Sequence, residues 1–136
     1  MFNWTIKQRN YLTIMEKVKQ EVRKFMEERD WLDQAPADLA KSVIIEAAEL
    51  LEHFQWDNHS KEKIVNDAEL MREIVHELAD VFIYAVALTV VLDVDAEKIV
   101  HDKLLISGKK YPAGIVNGEK GKEKYRQIKK RFRAKK

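Results

Sequence analysis

The sequence predicts an all-α fold of four-helix-bundle type. Three observations carry that expectation. Apolar residues recur at helical spacing along most of the chain, no run alternates with period two over a useful length, and no glycine precedes Gly108.

Four helical segments precede the C-terminal tail. The first is expected from about Thr5 to Met26, with Ile6, Leu12, Met15, Val18, Val22, Phe25 and Met26 on its apolar side. A second opens near Pro36 or Asp38, both good helix starters, and runs to about Trp56. Asp57-Asn58-His59-Ser60 reads as a turn in which Ser60 caps the next helical stretch. The third helix is long, reaches about Leu92 and is interrupted near Asn66-Asp67. Asp95 caps a fourth, with Val94 and Ile99 as a hydrophobic staple and Gly108 as its C-terminal stop.

A chain of 136 residues is long enough to bury one core. With 35% charged and 46% hydrophobic residues it suits a soluble helical protein rather than a disordered one. The absence of cysteine excludes disulfides, thiolate zinc sites and cysteine nucleophiles, and is compatible with a cytoplasmic location. Met1-Phe2-Asn3-Trp4-Thr5 lacks the basic-then-apolar design of a signal peptide. The longest uncharged run, Val81 to Leu92, has twelve residues. A bilayer span needs roughly 20, so this run is expected to be a buried core helix and no membrane partner is expected. Because it is apolar on nearly every side, a partner subunit is expected to help bury it.

Net charge is +2, but residues 119–136 hold ten Lys/Arg against two Glu, a local +8 that leaves −6 on residues 1–118. We therefore expect a helical domain over residues 1–112, followed by a loop and basic tail over 113–136.

The second helix carries an apolar stripe of Val43, Ile44, Ala47, Leu50, Leu51 and Phe54, which must face a core. Glu46 and Glu49 project from one flank, with His53 one turn later, and Glu46 sits at the margin beside Leu39 and Leu50. The third helix repeats the arrangement: Glu77 and Asp80 share a flank with Glu73 and Tyr84, at the mouth of the apolar segment. If the two helices pack side by side, four carboxylates converge and repel unless a cation lies among them. Hard oxygen ligands favour Mg²⁺ or Mn²⁺, the chemistry of metal-assisted phosphoryl or nucleotidyl hydrolysis. A Gly-rich phosphate loop is excluded, since the first 107 residues hold no glycine.

These residues resemble the MazG-like family of all-α nucleotide pyrophosphohydrolases, whose signature is E-x-x-E, a spacer, then E-x-x-D. Here it reads Glu46-Ala-Ala-Glu49, a gap of 27 residues, then Glu77-Leu-Ala-Asp80. Glu28-Arg29-Asp30-Trp31, the stretch from Leu39 to Trp56, Glu77 to Tyr84, and Lys103 through Tyr111-Pro112 resemble further segments of the family. The resemblance covers about residues 8–112 and is closest to the subgroup that includes dCTP pyrophosphatases.

The resemblance implies that Glu46, Glu49, Glu77 and Asp80 hold Mg²⁺, with Mn²⁺ able to substitute, and that water attacks the α-phosphorus of a nucleoside triphosphate to give monophosphate and pyrophosphate. One glutamate, Glu49 or Glu46, would act as general base. Trp31, Trp56 and Tyr84 would contribute to a base pocket, and Lys103 and Lys110 would contact phosphates. It further implies a homodimer or homotetramer and a role in nucleotide-pool housekeeping. Two departures bear on base and sugar preference and leave the metal chemistry intact. Asp33-Gln34-Ala35-Pro36 is one residue shorter than the family's F-H-x-P segment and lacks its His, and Ser107 stands where an Asn often follows the lysine.

His53 is read as a packing residue on the acidic flank, and His59, His76 and His101 share no ligand spacing. The basic tail, with Tyr125 and Phe132 interleaved, supports a rival reading: a non-catalytic helical module that binds nucleic acid through the tail.

Overall fold

The structure, a computed structural model, describes residues 13–118 and 120–134. Seven helices and no strand occur among them. The expected first helix begins in part before the described residues. From Thr13 onward its start is set locally: the Thr13 hydroxyl accepts the Glu16 N–H at 3.1 Å, opening α1 (Ile14–Glu27).

α1 ends without glycine. Asp30 adopts φ 56°, and the reversal returns the Trp31 N–H to the Met26 carbonyl at 2.9 Å and the Asp30 N–H to Glu27 at 3.2 Å. This is a Schellman turn, in which a left-handed residue satisfies carbonyls orphaned at the helix end. It also aims Trp31 back along the helix, where its ring meets Phe25 edge-on at 5.9 Å.

Pro36 occupies the first turn of α2 (Pro36–Gln55), where a missing N–H costs nothing. Ser60 caps α3 (Lys61–Asn66) by accepting the Lys63 N–H at 3.2 Å. Asp67 is the break expected in the long helix. Extended at φ −111° and ψ 98°, it ends α3 and caps α4 (Ala68–Val91) by accepting the Leu70 N–H at 3.1 Å. α4 ends in a second Schellman turn, with Asp93 at φ 51° and the Val94 N–H on Thr89 at 3.1 Å. Lys19 of α1 donates to the Val94 carbonyl at 2.7 Å, tying α1 to that turn.

Packing divides the chain into two units, residues 1–96 and 97–136. In the first, α4 lies against α2 and α1. The core is small: Val22 and Met26 of α1, Leu39 of α2, and Val86, Ala87 and Val90 of α4. Tyr84, Leu88, Val91 and Leu32 pack around it. By length and composition α4 is apolar enough to cross a bilayer, yet it supplies half of this core. Its burial is one-sided, because Phe82 remains 60% exposed and Val75 and Leu78 are exposed along the same side. On α2, Ile44 (69% exposed) and Leu51 also stay uncovered, so the apolar stripe expected to face a core does so only in part within this chain.

The second unit holds α5 (Ala96–Lys110, which starts at the last residue of the first unit), α6 (Ala113–Val116) and α7 (Gly121–Arg133). Gly108 does not stop α5. The helix runs through it to Lys110 and ends before Pro112, which disfavours helical geometry in the preceding residue. Gly121 is buried where α6 meets α7, and a Cβ there would fall 2.1 Å from the Val116 carbonyl oxygen. Tyr111 and Tyr125 stack at 4.7 Å, and the Lys110 ammonium lies 4.4 Å above the Phe132 ring. The basic tail is thus helical, with Lys122, Arg126, Lys129 and Arg133 on one face at i, i+4, i+7 and i+11.

Candidate metal centre and adjoining pocket

Packing α2 along α4 brings the acidic flanks together. Glu46, Glu77 and Asp80 are each half-buried and offer carboxylate oxygens that all lie within 4.8 Å of one another. At such a separation two like charges repel by about 3–4 kcal/mol at an effective dielectric near that of a protein surface. Glu49, three residues beyond Glu46, is exposed and stands outside that cluster of three. Its charge still reaches Glu46. Burial pushes the Glu46 carboxyl above its ordinary value, and the charges of Glu49, Asp80 and Glu77 push it further.

None of the four acids has an ion-pair partner among the described residues, whereas Glu27, Glu28, Asp38, Glu69 and Asp102 all do. Unlike those solvated pairs, the cluster gathers charge without compensation. Three convergent carboxylates with a fourth at the edge form a hard oxygen donor set, which fits Mg²⁺ or Mn²⁺. His53 lies beyond this cluster and pairs across the same helix seam, its Nδ1 3.8 Å from the Glu73 carboxylate. His59 lies near the Phe54 ring, while His76 and His101 are exposed.

Asp80 belongs to a second feature as well. It lines a cavity of about 470 Å³ between α1, the loop after it, α2 and α4. Val18, Val22, Phe25 and Met26 form the α1 wall, Ile83, Tyr84 and Ala87 the α4 wall, and Leu39 contributes from α2. Trp31 and Gln34 enter from the loop, and Glu21 from α1. The volume is that of a small-molecule site, and the acidic cluster stands at its edge.

Trp31 and Tyr84 are therefore brought together with Asp80. Trp56 is not: it is 87% exposed at the end of α2 and does not line this cavity. Lys103 and Lys110 lie on α5 in the second unit, Lys103 exposed and Lys110 half-buried against aromatic rings. The α1 wall and Glu21 were not legible as site residues, and Gln34 stood out only as part of the segment of residues 33–36 that departs from the family's pattern. Val22, Phe25 and Met26 have the spacing of any core-facing stripe, and only the turn at Asp30 converts that stripe into one side of a pocket.

Comparison with known proteins gives concordant findings. A model of the MazG-like family matches residues 41–128. Human dCTP pyrophosphatase 1 is 31% identical over 110 residues, which are 79% of this chain and 65% of the human protein, so the match spans slightly less than two thirds of that relative. The crystal structure of a pyrophosphatase from Archaeoglobus fulgidus superposes with a TM-score of 0.65 at 36% identity, over 78% of this chain and 99% of the archaeal one.

Proposed function

The chain belongs to the MazG-like family, and from that premise we propose that it is a nucleoside triphosphate pyrophosphohydrolase, converting a (d)NTP and water to (d)NMP and pyrophosphate with Mg²⁺, or Mn²⁺ in its place. One observation carries the reading. Uncompensated carboxylates from α2 and α4 converge at the edge of a cavity of nucleoside size that has Trp31 and Tyr84 in its walls. The names of the human and archaeal relatives support the same reaction class.

In this reading Glu46, Glu49, Glu77 and Asp80 hold the cation. When bound, that cation neutralises charge on the phosphate oxygens and acidifies nearby water. Glu49, the exposed member, is the better placed of the two candidate bases to take a proton from attacking water, with Glu46 second. Water forms the new bond to the α-phosphorus, the bond to the α–β bridging oxygen breaks, and pyrophosphate leaves with that electron pair. Trp31 and Tyr84 hold the base, and the phosphate contacts of Lys103 and Lys110 rest on the family resemblance alone. Trp56, exposed at the end of α2, reaches a base pocket only if a second copy presents it.

We place the catalytic domain at residues 1–112 and the protein in the cytoplasm, as one enzyme of nucleotide-pool housekeeping. We assign it a homodimer or homotetramer because Ile44 and Leu51 on α2 and Val75, Leu78 and Phe82 on α4 leave apolar stripes uncovered.

The test is pyrophosphate release from a panel of NTPs and dNTPs with Mg²⁺, with Glu49→Gln and Asp80→Asn in parallel. Release that both substitutions abolish supports the reaction; a silent panel from folded protein, with Mn²⁺ also tried, overturns it. The rival reading, nucleic-acid binding without catalysis, has the basic face of α7 formed by Lys122, Arg126, Lys129 and Arg133 in its favour. It requires indifference to the cation and binding that weakens steeply with salt. The acidic cluster, which that reading leaves without a purpose, favours catalysis.

A further inference from the structure

We propose that the groove between α6 and α7, with the basic stripe that continues from it along α7, binds single-stranded nucleic acid through its phosphates. The proposal goes beyond catalysis and does not compete with it. Strand binding belongs to the unit of residues 97–136 and the acidic cluster to that of residues 1–96, so one chain carries both.

The charge of α7 is local and uncompensated. The helix holds seven Lys/Arg and one Glu, a net of +6 on a chain whose total is +2. That one acid, Glu123, accepts from the Gln127 amide at 3.0 Å and pairs with no cation among the described residues. In the first unit Arg23, Lys24, Lys41 and Arg72 each have a carboxylate within 4.0 Å. Lys122, Arg126, Lys129 and Arg133 have none among the described residues. At i, i+4, i+7 and i+11 they form a stripe roughly 16 Å long, and Lys124, Lys130 and Arg131 fall outside it. A row of unpaired cations fixed on one helix suits a chain of regularly spaced phosphates, whose condensed counterions it releases.

The groove adds what a stripe alone lacks. About 480 Å³ in volume, it is lined by Lys122, Arg126 and Lys129 together with Tyr125, Gly121 and Val116. Tyr125, though stacked on Tyr111, keeps 41% of its surface exposed, and an unpaired base can stack there. The bases of a duplex are already stacked and cannot use that ring. An anionic bilayer, in turn, needs the apolar side of a basic helix. Here that side is engaged: Tyr125 stacks on Tyr111 at 4.7 Å, Phe132 lies 4.4 Å from the Lys110 ammonium, and Gly121 is buried against α6. Contacts to phosphates and to the face of a base read neither sequence nor sugar.

Fluorescence anisotropy on the full chain with EDTA present tests the site, using labelled oligo(dT) and oligo(U) of about 20 nucleotides. The two strands are expected to bind within about threefold of each other, and log affinity is expected to fall against log salt with a slope of about −2.8, the value for four phosphate contacts. Lys122→Ala combined with Arg126→Ala is expected to weaken binding about tenfold or more and to reduce the slope by about 1.4. Lys124→Ala combined with Arg131→Ala removes the same charge from outside the stripe and is expected to cost less than about threefold. Circular dichroism checks that both variants keep their helices. Equal losses in the two variants, tighter binding of a duplex of the same length, or binding that requires Mg²⁺ or vanishes in Asp80→Asn overturns the proposal. So does an absence of strand binding at about 50 mM salt, whether or not the protein pellets with phosphatidylserine vesicles. Pyrophosphate release, expected to be unchanged in both variants, separates this failure from failure of the catalytic reading. A chain that binds the strand and releases no pyrophosphate rejects catalysis alone, and the converse rejects the α7 site alone.

Discussion

Glu46 holds its proton more tightly in the folded chain than in the unfolded one, first because it is partly buried and then because Glu49, Asp80 and Glu77 surround it with like charge. A carboxyl with a raised folded pKa contributes stability that is fully present below the ordinary value of 4.5 and is lost as pH rises through the folded value. The cation-free protein is therefore expected to lose melting temperature from about pH 4.5 upward more steeply than Glu46→Gln does, in paired thermal melts. At neutral pH, Mg²⁺ at about a hundred times its dissociation constant should restore roughly 2.7 kcal/mol to the unsubstituted chain. Asp80→Asn should lose most of that gain. The two helix-ending aspartates offer a separate check. Asp93 sits at φ 51°, a conformation that glycine adopts without steric cost. Asp93→Gly is expected to stabilise by about 0.5–1 kcal/mol, read as a higher urea midpoint, while Asp93→Val should destabilise.

Helix starts were legible in the sequence because their chemistry is local. Ser60, Asp67 and Pro36 act within a turn of their own position, and each stands where the residue pattern puts it. Helix ends were less legible. Gly108, the obvious stop, lies inside α5, whereas the left-handed stops of α1 and α4 fall on Asp30 and Asp93, a residue type that tolerates this conformation without announcing it. The acidic pairs were legible as two flanks, but which three carboxylates meet depends on how α2 lies along α4. No spacing rule separates half-buried Glu46 from exposed Glu49. The pocket was legible at Trp31, Tyr84, Asp80 and the segment of residues 33–36 but not along α1, since its α1 wall depends on the reversal after that helix. In the second unit, α6 and α7 approach through Gly121, where even one methyl group meets the Val116 carbonyl. Gly121→Ala is expected to lower amide-exchange protection across α6 and α7 and leave α2 and α4 unchanged.

Charge is partitioned between the two packing units. Residues 97–136 carry fourteen Lys/Arg and four Asp/Glu, a net of +10, which leaves −8 on residues 1–96 against the chain total of +2. The acidic unit contains the candidate metal centre, and a negatively charged nucleotide approaching it is repelled until a cation is present, so binding should depend on divalent ion more steeply than a neutral pocket would. The uncovered apolar stripes on α2 and α4 belong to this unit too. Phe82→Glu places a charge at the most exposed position of the α4 stripe and is expected to shift the proposed oligomer to monomer in sedimentation velocity. A monomeric unsubstituted chain would remove the ground for a second copy there.

The Schellman turn at Asp30 has a consequence for how such a protein changes over time. The acids are fixed by the seam between α2 and α4, whereas Trp31 and Gln34 hang from a loop that the seam does not constrain. An inserted or deleted residue between Trp31 and Pro36 would redraw that side of the cavity and leave the carboxylates where they are. The shape of the cavity can therefore drift by loop length while the acidic cluster persists, because the two are inherited through different segments of the chain.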